Sequence, residues 1–252
     1  MDVYHFRTIY KVISDLNFNF LEKLFGGKID VQPCTTASIK MKYLFFDTET
    51  TGIPYTYKKS PLEDKYNWPH IVSICWVLYD PINQKTSPFY YFVLQPNGFT
   101  IPQEASAIHG ITQSYAVTHG QPASTILQTF CKHALQADKI IAHNLHFDKN
   151  VLLNDLQWFL PLPAQLPWTA EKEFCTMMDN IETCKLPFAN GKPGYKYPKL
   201  DELYAHVFGK PAPQDAHNAE RDVRVLVDIY KRKYPYQHSH RYNTRSKTNP
   251  IK

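Results

Sequence analysis

Residues 43–52 read Tyr-Leu-Phe-Phe-Asp-Thr-Glu-Thr-Thr-Gly, an apolar run that ends in two carboxylates. Apolar residues at consecutive rather than alternating positions predict a central strand covered on both faces. Because side chains alternate along a strand, Asp47 and Glu49 point the same way, with Cα atoms roughly 6.6 Å apart. Such a pair repels unless a cation or a proton lies between the carboxylates. We interpret the pair as half of a divalent-metal site; the alternative is two exposed acids before a Thr-Thr-Gly turn.

Length and composition place limits on the class of protein. The 252 residues can form one domain with a sizeable core plus appendages. The hydrophobic and charged fractions, 43% and 20%, are typical of a globular protein. No apolar run approaches the ~20 residues of a membrane span, so we expect a soluble protein with no membrane association. The net charge of +5 favours a polyanionic partner but is equally common in proteins without one.

Cysteine usage bears on the compartment. Five cysteines are an odd number, scattered through apolar segments, and the N-terminus lacks the layout of a signal peptide. We therefore expect a reducing, intracellular setting, either cytoplasmic or nuclear.

The chain divides into three parts. Residues 1–40 combine an amphipathic helix, which ends at Gly26-Gly27, with a polar linker; the helix packs on the domain or binds a polymerase or another protein partner. Residues 41–231 form the domain. Residues 232–252 form a basic, disordered tail, suited to nucleic acid, a nuclear address or no task. The sequence does not indicate the oligomeric state.

Within the domain, three successive apolar runs with short connections predict an antiparallel meander, and later strands alternate with helices. The predicted fold is therefore α/β, with a mixed five-stranded sheet of three antiparallel and then parallel strands, flanked by helices. The strands are predicted at 43–50, 71–79, 89–94, 139–142 and 174–178, and the helices at 102–107, 123–137, 147–159, 200–208 and 219–230.

A third acid lies near the start of the helix predicted over 147–159. Asp148 shares the apolar face with Val151 and Leu152, three and four residues further on. A carboxylate on the inward side of a helix needs a partner. The alternative is that Asp148 only complements the helix dipole in the first turn.

The last predicted helix repeats the pattern. Asp222 shares a face with Leu226 and Ile229 and lies beyond any N-cap formed by Asn218. His217 directly precedes that cap, where it can lean over the same cleft or have a purely structural role.

Four carboxylates from one strand and two helices can thus converge at one end of the sheet. Hard oxygen donors without cysteine suit Mg²⁺ or Mn²⁺. Two such ions can clamp a phosphodiester, and His217, with an ordinary pKa near 6.5, can accept the proton of the attacking water.

Three segments resemble the exonuclease motifs of the DnaQ-like DEDDh family of 3′→5′ exonucleases. They are Asp47-Thr-Glu-Thr-Thr-Gly, His143-Asn-Leu-His-Phe-Asp and His217-Asn-Ala-Glu-Arg-Asp. The resemblance covers roughly residues 41–231. It implies a ribonuclease H-like fold and two-metal release of nucleoside 5′-monophosphates from 3′ ends of single-stranded or frayed DNA, or of RNA. By position it implies that the metal ligands are Asp47, Glu49, Asp148 and Asp222, with His217 as general base.

The same resemblance implies a substrate-binding set. The backbone after Glu49 would meet the terminal sugar, Ile53 would wedge against the last base, and the segment 108–111 would line the terminal-nucleotide pocket. The predicted substrate-binding residues are Thr48, Thr50, Thr51, Ile53 and His109, together with His143 and Asn144, which we interpret as polar groups at the end of a strand that face the cleft.

Several features of the sequence allow another interpretation. His143, His146, Cys131 and His133 could form a zinc site, although their spacing fits no common zinc pattern. The Lys- and Tyr-rich loops 55–59 and 185–199 are either a stacking surface for single strands or idle loops. The enzyme could instead be an exoribonuclease of short RNAs, or the fold could be a non-catalytic nucleic-acid-binding module.

Overall fold

The computed structural model describes residues 41–160, 166–214 and 218–236. The predicted N-terminal helix and linker, residues 1–40, lie outside the described residues, as do His217 and most of the predicted tail. None of the described helices is both long enough and apolar enough to cross a lipid bilayer.

One mixed sheet of six strands organises the described residues. Its main path runs β3-β2-β1-β5-β6, and β4 pairs with β2 beside β3. The pairs β1–β2 and β2–β4 are antiparallel, whereas β1–β5 and β5–β6 are parallel. The strands are β1 (Tyr43–Thr50), β2 (Ile71–Asp80), β3 (Lys85–Thr86), β4 (Tyr90–Val93), β5 (Lys139–Ala142) and β6 (Glu173–Cys175). This confirms the predicted mixed sheet, to which the structure adds the two-residue β3.

Eight α-helices and one 3₁₀ helix complete the described residues. The α-helices are α1 (Gln103–His109), α2 (Gln113–His119), α3 (Ala123–Leu135), α4 (Leu145–Phe159), α5 (Thr176–Asp179), α6 (Ile181–Cys184), α7 (Leu200–Phe208) and α8 (Ala219–Lys233), and the 3₁₀ helix is Ala170–Lys172.

Two of these helices, α5 and α2, differ from the elements predicted from the sequence. The predicted strand over 174–178 is confirmed only as far as Cys175, where its pairing with β5 ends, and the chain then turns into α5. The short helix α2 was not predicted from the sequence; Thr112 caps it by accepting a hydrogen bond from the Tyr115 amide.

Strand β1 is covered on both faces, as its apolar run predicts. Leu44 and Phe46 pack in one cluster with α3 and α4, whereas Tyr43 and Phe45 pack in another with α8. Asp47 and Glu49 follow Phe45 at two-residue spacing and so lie on the α8 side of β1, with Thr48 on the α4 side. The pairing of β1 with β5 ends at Phe45, so the acids extend beyond the parallel strand.

Candidate active site

Three carboxylates meet at the end of β1. Asp47 and Glu49 come from β1 and Asp222 from α8, and one oxygen of each lies within 4.8 Å of the others. The structure therefore brings together three of the four acids predicted to bind metal, on the face of β1 that packs against α8.

Helix α8 fixes the position of Asp222. The Asn218 side chain caps the helix by accepting from the amides of Glu220 (3.0 Å) and Arg221 (3.3 Å). The Arg221 guanidinium donates to Asp222 Oδ1 and to Asp201 Oδ1, both at 2.7 Å. The cap predicted from the sequence is present. Arg221, which was not predicted from the sequence, positions the Asp222 carboxylate through its hydrogen bond.

Asp148 joins the site from the other side of β1. It lies in the first turn of α4 and is only 3% exposed. Its Oδ1 accepts hydrogen bonds from the Thr48 hydroxyl at 2.8 Å and from the Thr48 amide at 3.2 Å. Thr48 stands between Asp47 and Glu49 in the chain, so the fourth predicted acid is anchored within the motif that carries the first two.

Burial is the first cause of the raised pKa values of these acids, and repulsion among them is the second. Burial, followed by the charges of Asp148, Asp222 and Glu49, raises the pKa of Asp47 well above its ordinary value. Burial, followed by the charges of Asp222 and Asp148, raises the pKa of Glu49 to about 8. Burial raises the pKa of Asp148 to about 7, although its hydrogen bonds from Thr48 lower it.

This arrangement fits a bound divalent cation. Without one, protons must neutralise part of the charge, since four carboxylates this close together are costly to leave ionised. A cation removes that cost, and a donor set made only of carboxylate oxygens is typical of hard divalent ions. The cluster is therefore a candidate metal-binding site.

A cleft of about 380 Å³ adjoins the acids. Five of the predicted substrate-binding residues line it together with Glu49: Thr48, Thr50, Thr51, Ile53 and His109. Ile53 is 75% exposed. Phe147 also lines the cleft. Sequence reasoning missed Phe147 as a cleft residue, although its place directly before Asp148 was a usable signal.

The other two predicted substrate-binding residues lie elsewhere. The ring nitrogens of His143 have partners inside the chain: Nε2 donates to the Pro198 carbonyl at 2.9 Å, and Nδ1 lies 3.0 Å from the Thr176 hydroxyl. Burial lowers the pKa of His143 to about 4, so the ring is neutral. Asn144 precedes α4 in the left-handed conformation (φ 66°, ψ 45°) and lines a second cavity, not the cleft.

Two further predictions concern histidines. His217, the predicted general base, lies outside the described residues. The zinc alternative gains no support, because the only metal-capable group within 41–160, 166–214 and 218–236 is the acid cluster. His133 Nδ1 instead accepts a hydrogen bond from the Trp76 indole at 2.8 Å, and Cys131 is buried in the core.

Comparison with solved structures identifies the fold. Exonuclease I of E. coli bound to a dT13 oligonucleotide superposes with a TM-score of 0.57 at 18% identity, over 76% of this chain and 40% of that chain. The enzyme from Methylocaldum szegediense gives 0.57 at 17% identity, over 77% and 41%. A zinc-bound E. coli exonuclease I–ssDNA complex gives 0.57 at 18% identity, over 77% and 41%.

These comparisons cover only part of each relative. The chain spans about two-fifths of the length of the exonuclease I structures that it matches. No curated protein sequence matches the chain.

The sequence matches the family model described as Exonuclease, RNase_T, over residues 44–230. That range contains every acid of the cluster and most of the chain. The match confirms the resemblance drawn from the three motifs, and the superposed structures agree with a ribonuclease H-like sheet. The chain therefore belongs to the exonuclease (RNase_T) family, the DnaQ-like 3′→5′ exonucleases of the ribonuclease H-like superfamily.

Proposed function

We propose that this protein is a metal-dependent 3′→5′ exonuclease that hydrolyses the terminal phosphodiester bond of single-stranded or frayed DNA, or of RNA, and releases nucleoside 5′-monophosphates. The observation that carries the proposal is the carboxylate cluster: three acids whose oxygens lie within 4.8 Å of one another, in a chain of the exonuclease family.

The four acids have distinct roles in this proposal. Asp47, Glu49 and Asp222 hold two Mg²⁺ ions, for which Mn²⁺ can substitute, and Asp148 completes the set from the α4 side. When bound, the two ions supply a hydroxide-like nucleophile and stabilise the leaving oxygen. Thr48 orients Asp148 through its two hydrogen bonds, so the protein fixes the acid before the substrate arrives.

The cleft adjoins the acids, and its volume of about 380 Å³ can hold a terminal nucleotide. Its wall is held firmly, because the Thr51 amide donates to the His70 carbonyl (2.9 Å) and the Thr51 hydroxyl accepts from the His70 amide (3.1 Å). Exposed Ile53 can contact the last base, with Thr50 near the sugar, and His109 also lines the cleft.

His217 is proposed as the general base that takes the proton of the attacking water. With an ordinary pKa near 6.5, it is suited to this task at neutral pH. We expect His217→Ala to slow cleavage by roughly 10²- to 10⁴-fold near pH 7, with partial recovery at higher pH. The check is the pH–rate profile with Mg²⁺; a profile of unchanged shape would assign the proton to another group.

The overall function is tested with 5′-labelled single-stranded DNA and RNA of one sequence, incubated with Mg²⁺, with Mn²⁺ or with a chelator. A ladder that shortens from the 3′ end only when metal is present, with nucleoside 5′-monophosphate as product, is the expected result. Cleavage of RNA alone would identify an exoribonuclease, since the 2′-hydroxyl separates the two substrates. Retarded but uncut strands with either metal would identify a binding module and overturn the proposal.

A further inference from the structure

A second cavity, of about 890 Å³, shares the first turn of α4 with the candidate active site. Asn144, His146 and Lys149 line this cavity, whereas Phe147 lines the cleft beside the acids. Asn144 and Asp148 are separated by one helical turn, roughly 6 Å along the axis. A strand whose 3′ end lies at the acids therefore has this cavity within reach of its next nucleotides.

One wall of the cavity comes from the loop between β1 and β2. Tyr57 is 52% exposed, and its ring contacts Trp68 edge-on, with centroids 5.8 Å apart, and His146 at 6.5 Å. Buried Asn67 holds the loop by accepting from the Thr56 amide (2.9 Å) and donating to the Thr56 carbonyl (2.8 Å). The exposed ring therefore stands on a loop with a defined shape.

The loop before α7 supplies a second tyrosine. Tyr197 is 57% exposed and also lines the cavity. Hydrogen bonds hold the loop on both sides of this residue: the Lys196 amide donates to the Leu186 carbonyl at 2.9 Å, and the Pro198 carbonyl accepts from His143 at 2.9 Å. His143, which directly follows β5 and was predicted to bind substrate, thereby ties the end of β5 to the loop that carries Tyr197.

The charge of the two loops suits a polyanion. Residues 185–199 contain four lysines and no acidic residue, and residues 54–60 contain two lysines and no acidic residue. Lys58, Lys192 and Lys199 are exposed. Inside the cavity Lys149 is paired with Glu173 (2.8 Å), so the positive charge comes from the exposed lysines of the two flanking loops and not from the lining. Exposed aromatic rings with lysines nearby are typical of single-stranded nucleic acid binding, because every base has a face that can stack.

From this geometry we propose that the cavity between Tyr57 and Tyr197 binds unpaired bases of the substrate strand, upstream of the nucleotide at the acids. This inference rests on the proposed exonuclease function and names the part of the substrate that the protein holds. It means that affinity for a strand depends on its upstream bases and not only on the 3′-terminal nucleotide.

The test is direct binding of 5′-fluorescein-labelled 12-mer DNA, followed by anisotropy in chelator so that nothing is cut. The full chain is compared with the double variant Tyr57→Ala/Tyr197→Ala. We expect the double variant to bind roughly 5- to 100-fold more weakly, from the loss of base stacking. Two matched controls, Tyr57→Phe/Tyr197→Phe and Tyr115→Ala, should bind as the unmodified chain does; Tyr115 is 49% exposed and lines neither cavity.

A second oligonucleotide identifies the contact as stacking. It keeps bases at the last two positions and carries abasic sites at the three before them. The unmodified chain should bind it as weakly as the double variant binds the normal strand, and the double variant should lose at most about twofold more, because the interacting groups are already gone. Full affinity of the double variant for the normal 12-mer overturns the inference.

The two proposals can fail separately. Suppose that the unmodified chain cuts DNA with Mg²⁺, but that neither the double tyrosine variant nor the abasic strand changes the affinity. The cavity is then not a base-binding site, and the exonuclease proposal stands. If the chain cuts nothing while affinity still depends on both, the cavity binds a strand and the exonuclease proposal fails.

Discussion

Helix α4 carries two buried aspartates, seven residues apart, that the protein treats in opposite ways. Asp148 is 3% exposed and Asp155 is fully buried. Asp155 Oδ1 lies 2.6 Å from His70 Nδ1, and its Oδ2 accepts from the Ile71 amide at 2.8 Å. Asp148 has Thr48 as its hydrogen-bond donor but faces three other carboxylates.

The surroundings of Asp155 make it a structural group. Burial keeps the pKa of Asp155 above its ordinary value, although its contacts with His70 and the Ile71 amide lower it. The His70 ring is itself stacked on Phe99, with ring centroids 4.4 Å apart. Each oxygen of Asp155 therefore has a donor supplied by the protein, and the pair fixes the start of β2 against α4.

The two aspartates differ in the groups that surround their buried carboxylates. Each oxygen of Asp155 has a hydrogen-bond donor from His70 or Ile71. Asp148 has donors from Thr48, but Asp47, Glu49 and Asp222 add negative charge beside it. Negative charge that no group of the protein neutralises predicts a bound cation, so a metal is expected at Asp148 and not at Asp155.

The largest expected effect is on the acid cluster itself. Asp47→Ala should reduce cleavage by at least about 10³-fold, because losing a ligand removes several kcal/mol of transition-state stabilisation. The same change should raise the free energy of unfolding in chelator at alkaline pH, where the acids are ionised and one repelling charge is removed. Rates come from labelled-strand cleavage with Mg²⁺ and stabilities from urea denaturation; retained cleavage would remove Asp47 from the mechanism.

The next effect tests the functional member of the pair on α4. Asp148→Asn should lower the rate at least about 10- to 100-fold and weaken the affinity for Mg²⁺, since one of the four acids proposed to hold the metal becomes neutral. Thr48 can still donate to the remaining amide oxygen, so the fold should persist. Metal titration of the cleavage rate measures this change, and loss of the circular-dichroism signal would show that Asp148 is structural after all.

Asp155, the structural aspartate of α4, should affect stability and not cleavage. Asp155→Asn should reduce the free energy of unfolding by about 1–3 kcal/mol, because one donor among His70 Nδ1 and the Ile71 amide loses its acceptor. Cleavage per folded molecule should stay within a few-fold of the unmodified chain. Urea denaturation beside the Asp148→Asn variant provides the comparison, and the distinction fails if Asp155→Asn abolishes cleavage in a folded protein.

The acid cluster should also make the stability of the metal-free protein depend on pH. The pKa values of Glu49 (about 8) and Asp148 (about 7) exceed the ordinary 4.5 and 3.8, so the folded chain binds more protons than the unfolded chain between about pH 4 and 8. Stability should therefore fall as pH rises through that window, by up to about 1.4 kcal/mol per pH unit for each excess proton.

Magnesium provides the control for this pH effect. Added Mg²⁺ should flatten the decline, because it binds the ionised acids of the folded chain. Urea denaturation at several pH values, with chelator and with Mg²⁺, measures both curves. A metal-free stability that rises from pH 5 to 8 would contradict the raised pKa values.

Much of the architecture could be predicted because it depends on local pattern. The apolar run at 43–46 required a strand covered on both faces, and β1 is such a strand. The spacing of Asp148 and Asp222 placed both acids on inward faces of helices. The helix α2 was not predicted, although α1 of the same length was. The end of β6 could not be predicted, since a three-residue edge strand depends on the partners that surround it.

In the candidate site, too, local spacing could be predicted and tertiary partners could not. Sequence spacing put Asp47, Glu49, Asp148 and Asp222 at one end of the sheet. It did not separate Asp148 from Asp155, which lies on the same face of α4, because the difference depends on His70, which lies 85 residues away in sequence. The sequence likewise placed His143 among substrate-binding residues, whereas tertiary contacts engage both of its ring nitrogens with Thr176 and Pro198.

The sequence by itself determined which residue types are available and which side of a strand or helix each one occupies, because the period of 2.0 or 3.6 residues is a local property of the backbone. Only the tertiary structure decided which buried charges find a compensating partner and which exposed rings, such as Tyr57 and Tyr197, line the same cavity. The physical reason is that charge compensation and stacking act over a few ångströms of space, between segments that chain order does not bring together.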